Sequence, residues 1–528
     1  MKKIVIFLVS VVIIATVEAK GKKDPVVMTV VDKEIPLSEF VFMAKKDNNV
    51  DLNDKKSVRN YVELFKNYKL KVADAEALTI HKAPKFEREL ESYKDELQAS
   101  FLSDKTGEDS ALHVIYNRTK SIPGFKHILF RFEKNEVLTK DTVALYNKAL
   151  AVYNRIKNGE SFEAIGESFK EADGDSVIYV NVEYIYPLQM LKVVEDKVFT
   201  MDLGEVSEPL RSMAGYHLIK KDRDIPNPGK VRIAHILSEF STEEPTEEEI
   251  EETRKRADSV YNKAISGEDF AELAKAYSND TVSAGRGGVM AYFGLGEKIE
   301  PLETAAFALE NAGDISKPVQ TRFGFHVIKL IDRKTEITFE EMESFIYESM
   351  KSSERNFDLY GSFDEKMKLR HGYVFYPEAY EELSLLADDY FPTDTLFFDI
   401  GIKMEKTLIR LDSIDFSQSV FVEYIYRKPY STKTYSQDFM AEIFKLFIRD
   451  IVTEMERRTL ERDYPDYNML VNEYYDGILL YEISSKRVWG HPVEEQAALE
   501  AEWVKELNEK YPVTINWKVI NKVKKYLN

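Results

Sequence analysis

A pattern of ten residues occurs twice in the chain, as SMAGYHLIKK at 212–221 and as TRFGFHVIKL at 321–330. Each copy has a hydroxyl residue, a glycine, an aromatic residue and a histidine in the same order, 109 residues apart. A second repeated pattern lies upstream, in KHILFRF around His127 and in AHILSEF around His235. The distance of 109 residues between the copies is longer than the repeat unit of a solenoid protein, so the pattern predicts two copies of one domain.

The two predicted domains span 121–224 and 229–335, joined by the turn-rich linker RDIPNPGK. Each copy begins and ends with an apolar strand that carries a histidine, with helices between. In the second copy, Thr246 and Glu249 predict a capping box at the start of the first helix. This order predicts a small α+β domain around an antiparallel sheet. The terminal strands must pair, which would bring the two histidines of each copy side by side.

The flanking regions, 20–118 and 336–528, are predicted to be mainly helical. The first begins with a short β-ribbon, and the second includes a passage at 393–428 that is predicted to be rich in strands. Residues 412–428 weakly resemble 32–46, and no expectation is based on that similarity. The expected fold class is therefore a multidomain α+β protein, in which two tandem domains lie between mainly helical regions.

Composition and charge exclude several classes of protein. The 528 residues require several domains, and 44% hydrophobic with 31% charged residues is typical of globular proteins. A net charge of −19 argues against nucleic acid as a partner, because phosphates would repel it. The chain has no cysteine, so mispaired disulfides cannot form with other proteins in an oxidising compartment.

The first residues predict export from the cytoplasm. Lys2 and Lys3 precede a long apolar run, and Val17 and Ala19 are small residues in the positions that a signal peptidase requires. We expect a signal peptide at 1–19, a periplasmic protein and no stable membrane insertion after cleavage. An uncleaved membrane anchor is the alternative, because the apolar run is long for a signal peptide.

The second copy resembles the parvulin family of peptidyl-prolyl cis/trans isomerases, and the whole chain is similar to envelope foldases of the SurA/PpiD/PrsA type. The resemblance covers about 105 residues in the order and spacing usual for the family. Its motifs are AHIL at 234–237, FAELAKAYSND at 270–280, SAGRGGVMAYFGLG at 283–296, ETAAFAL at 303–309 and GDISKPVQTRFGFHVIKL at 313–330.

The resemblance implies a catalytic site in the second copy. His235 and His326 would form a buried hydrogen-bonded pair, Thr321 would support His326, and Asp280 would face the substrate carbonyl. The substrate-binding positions would be Phe293, Phe307, Lys298 and Leu302, with Gly287 and Gly288 allowing a tight loop. Lys298 replaces the methionine and Leu302 the phenylalanine that the family usually presents to the proline ring, so the pocket is expected to be altered.

The first copy is expected to keep the fold without the full site. The equivalent positions hold His127, His217, Met190, Ser212 and, where the family has phenylalanine, Val194. The position of Asp280 falls near Ala172, in a stretch that lacks the family motif. This copy is therefore interpreted as a client-binding or spacing domain whose histidines are structural.

The resulting hypothesis is a periplasmic folding factor. Its second parvulin domain would isomerise X–Pro bonds, and its helical regions would bind unfolded or nascent envelope proteins. The alternatives are a holdase chaperone without catalysis and an assembly component dedicated to one partner. No cofactor is expected, and no metal, because no HExxH motif or carboxylate at ligand spacing accompanies the histidines. The sequence leaves the oligomeric state open.

Overall fold

The computed structural model describes residues 24–133, 137–172, 176–428 and 435–526. The predicted signal peptide at 1–19 lies outside them. Two compact units are formed: one combines the described residues up to Leu102 with those from Glu456 onward, and the other runs from Ser103 to Met455. In the part of the chain that is described, none of the helices has both the length and the apolarity that a membrane crossing needs.

The first described residues, from 24 to 118, form a β-hairpin and four helices. They are β1 (Val26–Val30), β2 (Lys33–Pro36), α1 (Leu37–Lys46), α2 (Lys55–Ala77), α3 (Pro84–Phe101) and α4 (Lys105–Arg118). Asp54 caps α2, because its carboxylate accepts the backbone N–H groups of Lys56 and Ser57. Phe40 of α1 meets Phe65 of α2 edge to face, with ring centroids 5.3 Å apart. These contacts attach the first two helices to one another.

The described residues of the first repeated domain form a four-stranded antiparallel sheet with three helices. Its elements are β3 (Ser121–Arg131), α5 (Thr139–Lys157), α6 (Phe162–Ala172), β4 (Val177–Val182), α7 (Lys192–Thr200), β5 (Leu210–Ser212) and β6 (Gly215–Pro226). The strand order is β4-β3-β6-β5. The two terminal strands β3 and β6 are therefore central neighbours, as the sequence predicted.

The second repeated domain has the same central pair of strands. Its elements are β7 (Lys230–Glu239), α8 (Glu247–Ile265), α9 (Phe270–Tyr277), α10 (Thr281–Ala284), α11 (Glu300–Ala308), β8 (Val319–Thr321) and β9 (Gly324–Lys334), and the strand order is β7-β9-β8. The predicted capping box of α8 is half formed. Thr246 accepts the N–H of Glu249, but the Glu249 carboxylate accepts the N–H and hydroxyl of Ser241 instead of the N–H of Thr246.

The remaining chain is mainly helical, and the predicted fold class is confirmed. Its elements are α12 (Phe339–Lys351), α13 (Asn356–Arg370), β10 (Val374–Phe375), α14 (Pro377–Asp389), α15 (Thr395–Gly401), β11 (Thr407–Leu411), β12 (Ile414–Ser417), α16 (Gln418–Arg427), α17 (Ser436–Asp463), α18 (Pro465–Ser484), α19 (Val493–Lys510), β13 (Val513–Ile515) and α20 (Trp517–Ile520).

The prediction that 393–428 is rich in strands is wrong for more than half of its length. Only β11 and β12 are strands, and they lie between the helices α15 and α16. In α16, Phe421, Val422 and Ile425 are buried at helical spacing. The burial of one helical face therefore outweighs the strand propensity of its β-branched and aromatic residues.

The weak similarity between 412–428 and 32–46 corresponds to a repeated structure. Met28 pairs with Ile35 in the first hairpin, and Ile409 pairs with Phe416 at the equivalent place in the second. Each hairpin has a bulge at the same position, each is followed at once by a ten-residue helix, and each is joined on the same side by a third antiparallel strand, β13 or β10. Both turns hold a non-glycine residue at positive φ, Val31 (φ 55°) and Asp412 (φ 50°).

A buried ion cluster connects the first repeated domain to the helices around it. Glu195 of α7 has no exposed surface, and it accepts from Arg355 at 2.7 Å and from Arg118 at 3.1 Å. Its other oxygen accepts the backbone N–H of Leu188 at 2.7 Å. A carboxylate with three donors is satisfied in spite of its burial. The cluster therefore fixes α7, the loop before it and two flanking helical segments together.

We expect Glu195→Ala to destabilise the unit from Ser103 to Met455 by about 3 kcal/mol, because it leaves the guanidinium of Arg355 buried without its main partner. Urea unfolding followed by circular dichroism measures this loss. The control is Glu167→Ala, which removes an exposed ion pair with Lys170 and should change the free energy of unfolding little. Equal effects of the two variants would contradict the role assigned to the cluster.

Candidate active site

The register of two strands brings two histidines together in the second repeated domain. Leu237 of β7 lies directly opposite His326 of β9. His235 is two residues before Leu237 and therefore projects from the same face of the sheet, diagonal to His326. The Nδ1 atoms of the two rings are 3.1 Å apart, and the ring planes are 13° from parallel. Both histidines are buried, with exposed fractions of 5% and 4%.

The histidine pair belongs to a longer chain of hydrogen bonds. Thr321 Oγ1 lies 3.0 Å from His326 Nε2, and His235 Nε2 lies 2.8 Å from Asp280 Oδ2. The contact between His235 Nε2 and the Asp280 carboxylate requires an N–H on that nitrogen, and the contact between the two Nδ1 atoms requires one donor and one acceptor. The hydrogen bonds therefore connect Thr321 at the buried end with an anionic acceptor at the other.

The pKa values agree with this arrangement of protons. Burial, and next the neighbouring His235, lowers the pKa of His326 to about 4, so this imidazole is neutral at pH 7. Burial of Asp280 opposes its ionisation, but hydrogen bonds from Ser283 and His235 outweigh that effect and lower its pKa to about 2. The site therefore presents one fixed negative charge, held by hydrogen bonds from Ser283 and His235.

The loop before α10 positions the carboxylate. Asp280 is the N-cap residue of α10, and its Oδ1 accepts the backbone N–H of Val282 at 3.1 Å. Its Oδ2 accepts the hydroxyl of Ser283 at 2.6 Å. After α10, Gly288 has φ +78° and its carbonyl accepts the N–H of His235. A Cβ at Gly288 would lie 2.4 Å from the His235 carbonyl oxygen, so glycine is required for this close approach.

An open groove of about 520 Å³ lies over the histidines. Of the predicted residues, His235, His326, Asp280, Lys298 and Leu302 line it. Thr321 is not among the lining residues, because it is buried behind His326. The remaining lining residues are Leu237, Met290, Gly296, Glu297, Ile299 and Phe323.

Two predicted substrate-binding residues do not reach the groove. Phe293 is fully buried, and its backbone pairs with Val231. Phe307 is partly buried and packs edge to face on Phe293, in the same core cluster as Leu302. The prediction that Phe293 contacts the substrate is therefore wrong, because its ring is used in the domain core.

Sequence reasoning missed Ser283, Met290 and Phe323. Phe323 is the residue before Gly324 in the repeated pattern, and its 45% exposure makes it an apolar wall of the groove. Met290 supplies a thioether to the groove although the position assigned to methionine holds Lys298. The contact of Ser283 could have been predicted from the sequence. The side chain of an N-cap aspartate points toward the residue three positions later, which here is a serine.

The first domain has a similar histidine pair in a different orientation. His127 Nε2 lies 2.8 Å from His217 Nδ1, and Ser212 Oγ lies 2.6 Å from His217 Nε2. Thus Nε2 of His235 faces Asp280, whereas Nε2 of the equivalent His127 faces its partner His217. Burial lowers the pKa of His127 to about 4. Val194 is fully buried, and Met190 packs against the same core cluster.

We expect acid to destabilise both repeated domains because the pKa is lowered, mainly by burial, for His127 and His217 in the first domain and for His326 in the second. Burial, and next His127, lowers the pKa of His217 to about 3, whereas an unfolded histidine titrates near 6.5. Between pH 6.5 and about 4 the unfolded chain binds more protons than the folded chain, so stability falls as the pH is lowered through this range. The melting temperature measured from pH 7 to pH 4.5 should decrease steadily.

The control for this titration is the double variant His127→Asn and His217→Asn. It removes two of the buried imidazoles, and its melting temperature should depend less steeply on pH than that of the wild-type chain. A wild-type melting temperature that is constant between pH 7 and pH 4.5 would contradict the assignment of neutral buried histidines.

Comparison with known proteins identifies the repeated domains. The family model for the rotamase, PPIC-type PPIASE domain matches residues 127–223 and again 235–332. The chaperone SurA of Chromohalobacter salexigens is 32% identical over 195 residues, which are 35% of this chain and 43% of that protein. The foldase protein PrsA of a Geobacillus strain is 40% identical over 124 residues, covering 24% and 40% of the two chains.

A crystal structure of the peptidylprolyl isomerase PrsA from Bacillus anthracis is 31% identical, covering 26% of this chain and 59% of that one. Its TM-score is 0.18, and no inference rests on that superposition. The chain spans less than half the length of the curated relatives it matches. The resemblance to parvulins is confirmed over both copies: the chain contains two tandem parvulin domains of the PPIC type and is similar there to SurA and PrsA proteins.

Proposed function

We propose that the chain is a folding factor whose second parvulin domain, residues 229–335, isomerises X–Pro peptide bonds in unfolded proteins. One observation carries the proposal: a chain of hydrogen bonds from Thr321 ends at an ionised Asp280 on the wall of a largely apolar groove. Histidines buried for stability alone do not require a carboxylate at the groove. The first domain has the histidine pair in another orientation and serves as a structural or client-binding domain.

The reaction needs no bond to be made or broken. Rotation about a peptide bond has a barrier of about 18–20 kcal/mol, because the twisted amide loses its resonance. The planar amide carries partial negative charge on the carbonyl oxygen, and the twisted amide carries less. A catalyst must therefore favour the twisted form over the planar form.

Asp280 supplies this preference through its charge. A carboxylate beside the carbonyl oxygen repels the negative charge of the planar amide more strongly than that of the twisted amide. The repulsion becomes stronger when a bound substrate displaces the water that would otherwise screen it. His235 and Ser283 hold the carboxylate in place through hydrogen bonds of 2.8 Å and 2.6 Å, so the charge does not move during rotation. The histidine pair thus acts by positioning the charge.

The apolar lining of the groove accommodates the prolyl ring. Leu237, Met290 and Phe323 provide aliphatic, thioether and aromatic surface around the space above the histidines. Proline has no N–H, so its ring can enter such a groove without leaving a donor unpaired. The same lining disfavours a residue whose backbone N–H would be desolvated there.

The chaperone part of the proposal rests on relatives and on the signal pattern. The matched proteins are named Chaperone SurA and Foldase protein PrsA. The residues at 1–19 have the features of a signal peptide, which supports a periplasmic location for the proposed function. The proposed clients are unfolded or nascent envelope proteins that contain proline, bound through apolar surface and extended backbone.

The first test is Asp280→Asn, which removes the charge but keeps a side chain that can cap α10. We expect kcat/KM in a proline-limited peptide or refolding assay to fall about tenfold, which corresponds to ~1.4 kcal/mol in the barrier. The matched control is Asp269→Asn, the same change at the N-cap of α9 outside the groove. An active Asp280→Asn variant with wild-type kcat/KM would exclude the charge mechanism.

A second candidate function is that of a holdase chaperone without useful isomerisation. It is favoured by Lys298, an exposed lysine on the groove where the family usually has methionine. Two measurements separate these functions: whether the chain suppresses the aggregation of an unfolded protein, and whether it accelerates proline-limited refolding. A wild-type chain that suppresses aggregation but does not accelerate proline-limited refolding is a holdase. A chain that does both, with only the acceleration lost in Asp280→Asn, is the proposed isomerase.

Replacing Lys298 by methionine tests its effect on the groove. The lysine stem covers apolar surface, but its ammonium group must remain hydrated, which limits the apolar area available to a prolyl ring. We expect Lys298→Met to lower KM about fourfold for substrates with an apolar residue before proline. This is the increase in affinity expected when roughly one more methylene group is buried in the complex. Lys275→Met, on the exposed surface of α9, is the control and should leave KM unchanged. An equal KM in both variants would show that Lys298 does not limit binding.

A further inference from the structure

The groove of the second domain is bordered by a loop that contacts the first domain. This rim loop, residues 294–298, supplies Gly296, Glu297 and Lys298 to the groove lining. The contacting segment of the first domain, residues 184–190, is the corresponding loop of the other copy. The correspondence of Met190 with Lys298 places Tyr186 opposite Gly294 in the alignment of the two copies. The two equivalent loops therefore face one another. At the aligned position the loop of the first domain has the tyrosine and the rim loop has the glycine.

The contact between the loops is specific. The hydroxyl of Tyr186 donates to the carbonyl oxygen of Leu295 at 2.9 Å. A Cβ at Gly294 would lie 2.5 Å from that hydroxyl oxygen, so the phenol occupies the space that a side chain would need. Gly296 has φ +79° and lies against the ring of Tyr184. Both glycines of the rim loop thus adapt to a tyrosine of the first domain.

The segment that carries Tyr186 is itself held firmly. The backbone N–H of Leu188, a residue with φ +71°, donates to the fully buried Glu195. The backbone N–H of Tyr186 donates to the side-chain oxygen of Gln189 at 3.0 Å. Glu195 in turn is bound by Arg355 and Arg118. The first domain therefore offers a rigid support, whereas the rim loop follows an irregular segment after α10.

We propose that Tyr186 is a positioning residue through which the first parvulin domain holds the rim of the catalytic groove in the second. Leu295, whose carbonyl it binds, directly precedes Gly296, so the hydrogen bond restrains the backbone that forms this wall of the groove. This inference rests on the proposed isomerase function for its kinetic consequence. The first domain would then support catalysis in the second, and this support does not depend on its own histidine pair.

The test is Tyr186→Phe in the full chain, which removes the hydroxyl and keeps the ring. Loss of one neutral hydrogen bond shifts the equilibrium between the bound and the released rim loop by a factor of about five. We expect KM for a proline tetrapeptide to rise about fivefold while kcat stays within about twofold of wild type, because Asp280 and the histidines are unchanged. Hydrogen–deuterium exchange at 294–298 should become faster to a similar degree. The control is Tyr146→Phe, the same change on α5 of the first domain.

The outcomes separate this inference from the proposed function. Higher KM and faster exchange at 294–298 in Tyr186→Phe, but not in Tyr146→Phe, support it. It is overturned by an unchanged KM, by an unchanged exchange rate, or by a fall in kcat with a lower melting temperature, which would indicate general destabilisation. If the wild-type chain has no isomerase activity, the proposed function fails, and exchange at 294–298 alone decides whether Tyr186 holds the loop.

Discussion

The antiparallel register between the first and last strands of each parvulin domain is the constraint on which the site depends. In both copies a leucine stands opposite the second histidine, Leu129 opposite His217 and Leu237 opposite His326. A shift by one residue would send one imidazole to the other face of the sheet and break the pair. The strands are apolar and central, so burial of their side chains stabilises the one register that joins the histidines.

The same register supports two different sites. Both pairs are buried, but His235 presents Nδ1 to its partner and leaves Nε2 for Asp280, whereas His127 presents Nε2. The orientation of the first ring therefore separates a pair that contacts a carboxylate from a pair in which the same nitrogen contacts the partner histidine. The buried histidine pair is common to both copies, and in the proposed mechanism the electrostatic preference for a twisted amide needs the carboxylate of Asp280.

Duplication is found at a second level in the chain. The hairpin of β1 and β2 and that of β11 and β12 share their pairing, bulge, turn conformation and following helix, although their sequences have little in common. Each is completed by a strand that is distant in the chain or precedes it. Repeated backbone geometry with divergent side chains is expected when register and burial, more than residue identity, determine the structure.

The sequence by itself determined the two repeated domains, the pairing of their terminal strands and the residues of the hydrogen-bonded chain. These follow from local periodicity, from the spacing of the repeat and from resemblance to a family with the same motif order. Only the tertiary structure decided that Met290 and Phe323 line the groove, that Phe293 is in the core, and that Tyr186 contacts the rim loop. Those placements depend on side chains that are far apart in sequence and meet only when the second domain has folded or, for Tyr186, when the two domains have packed, so no local pattern records them.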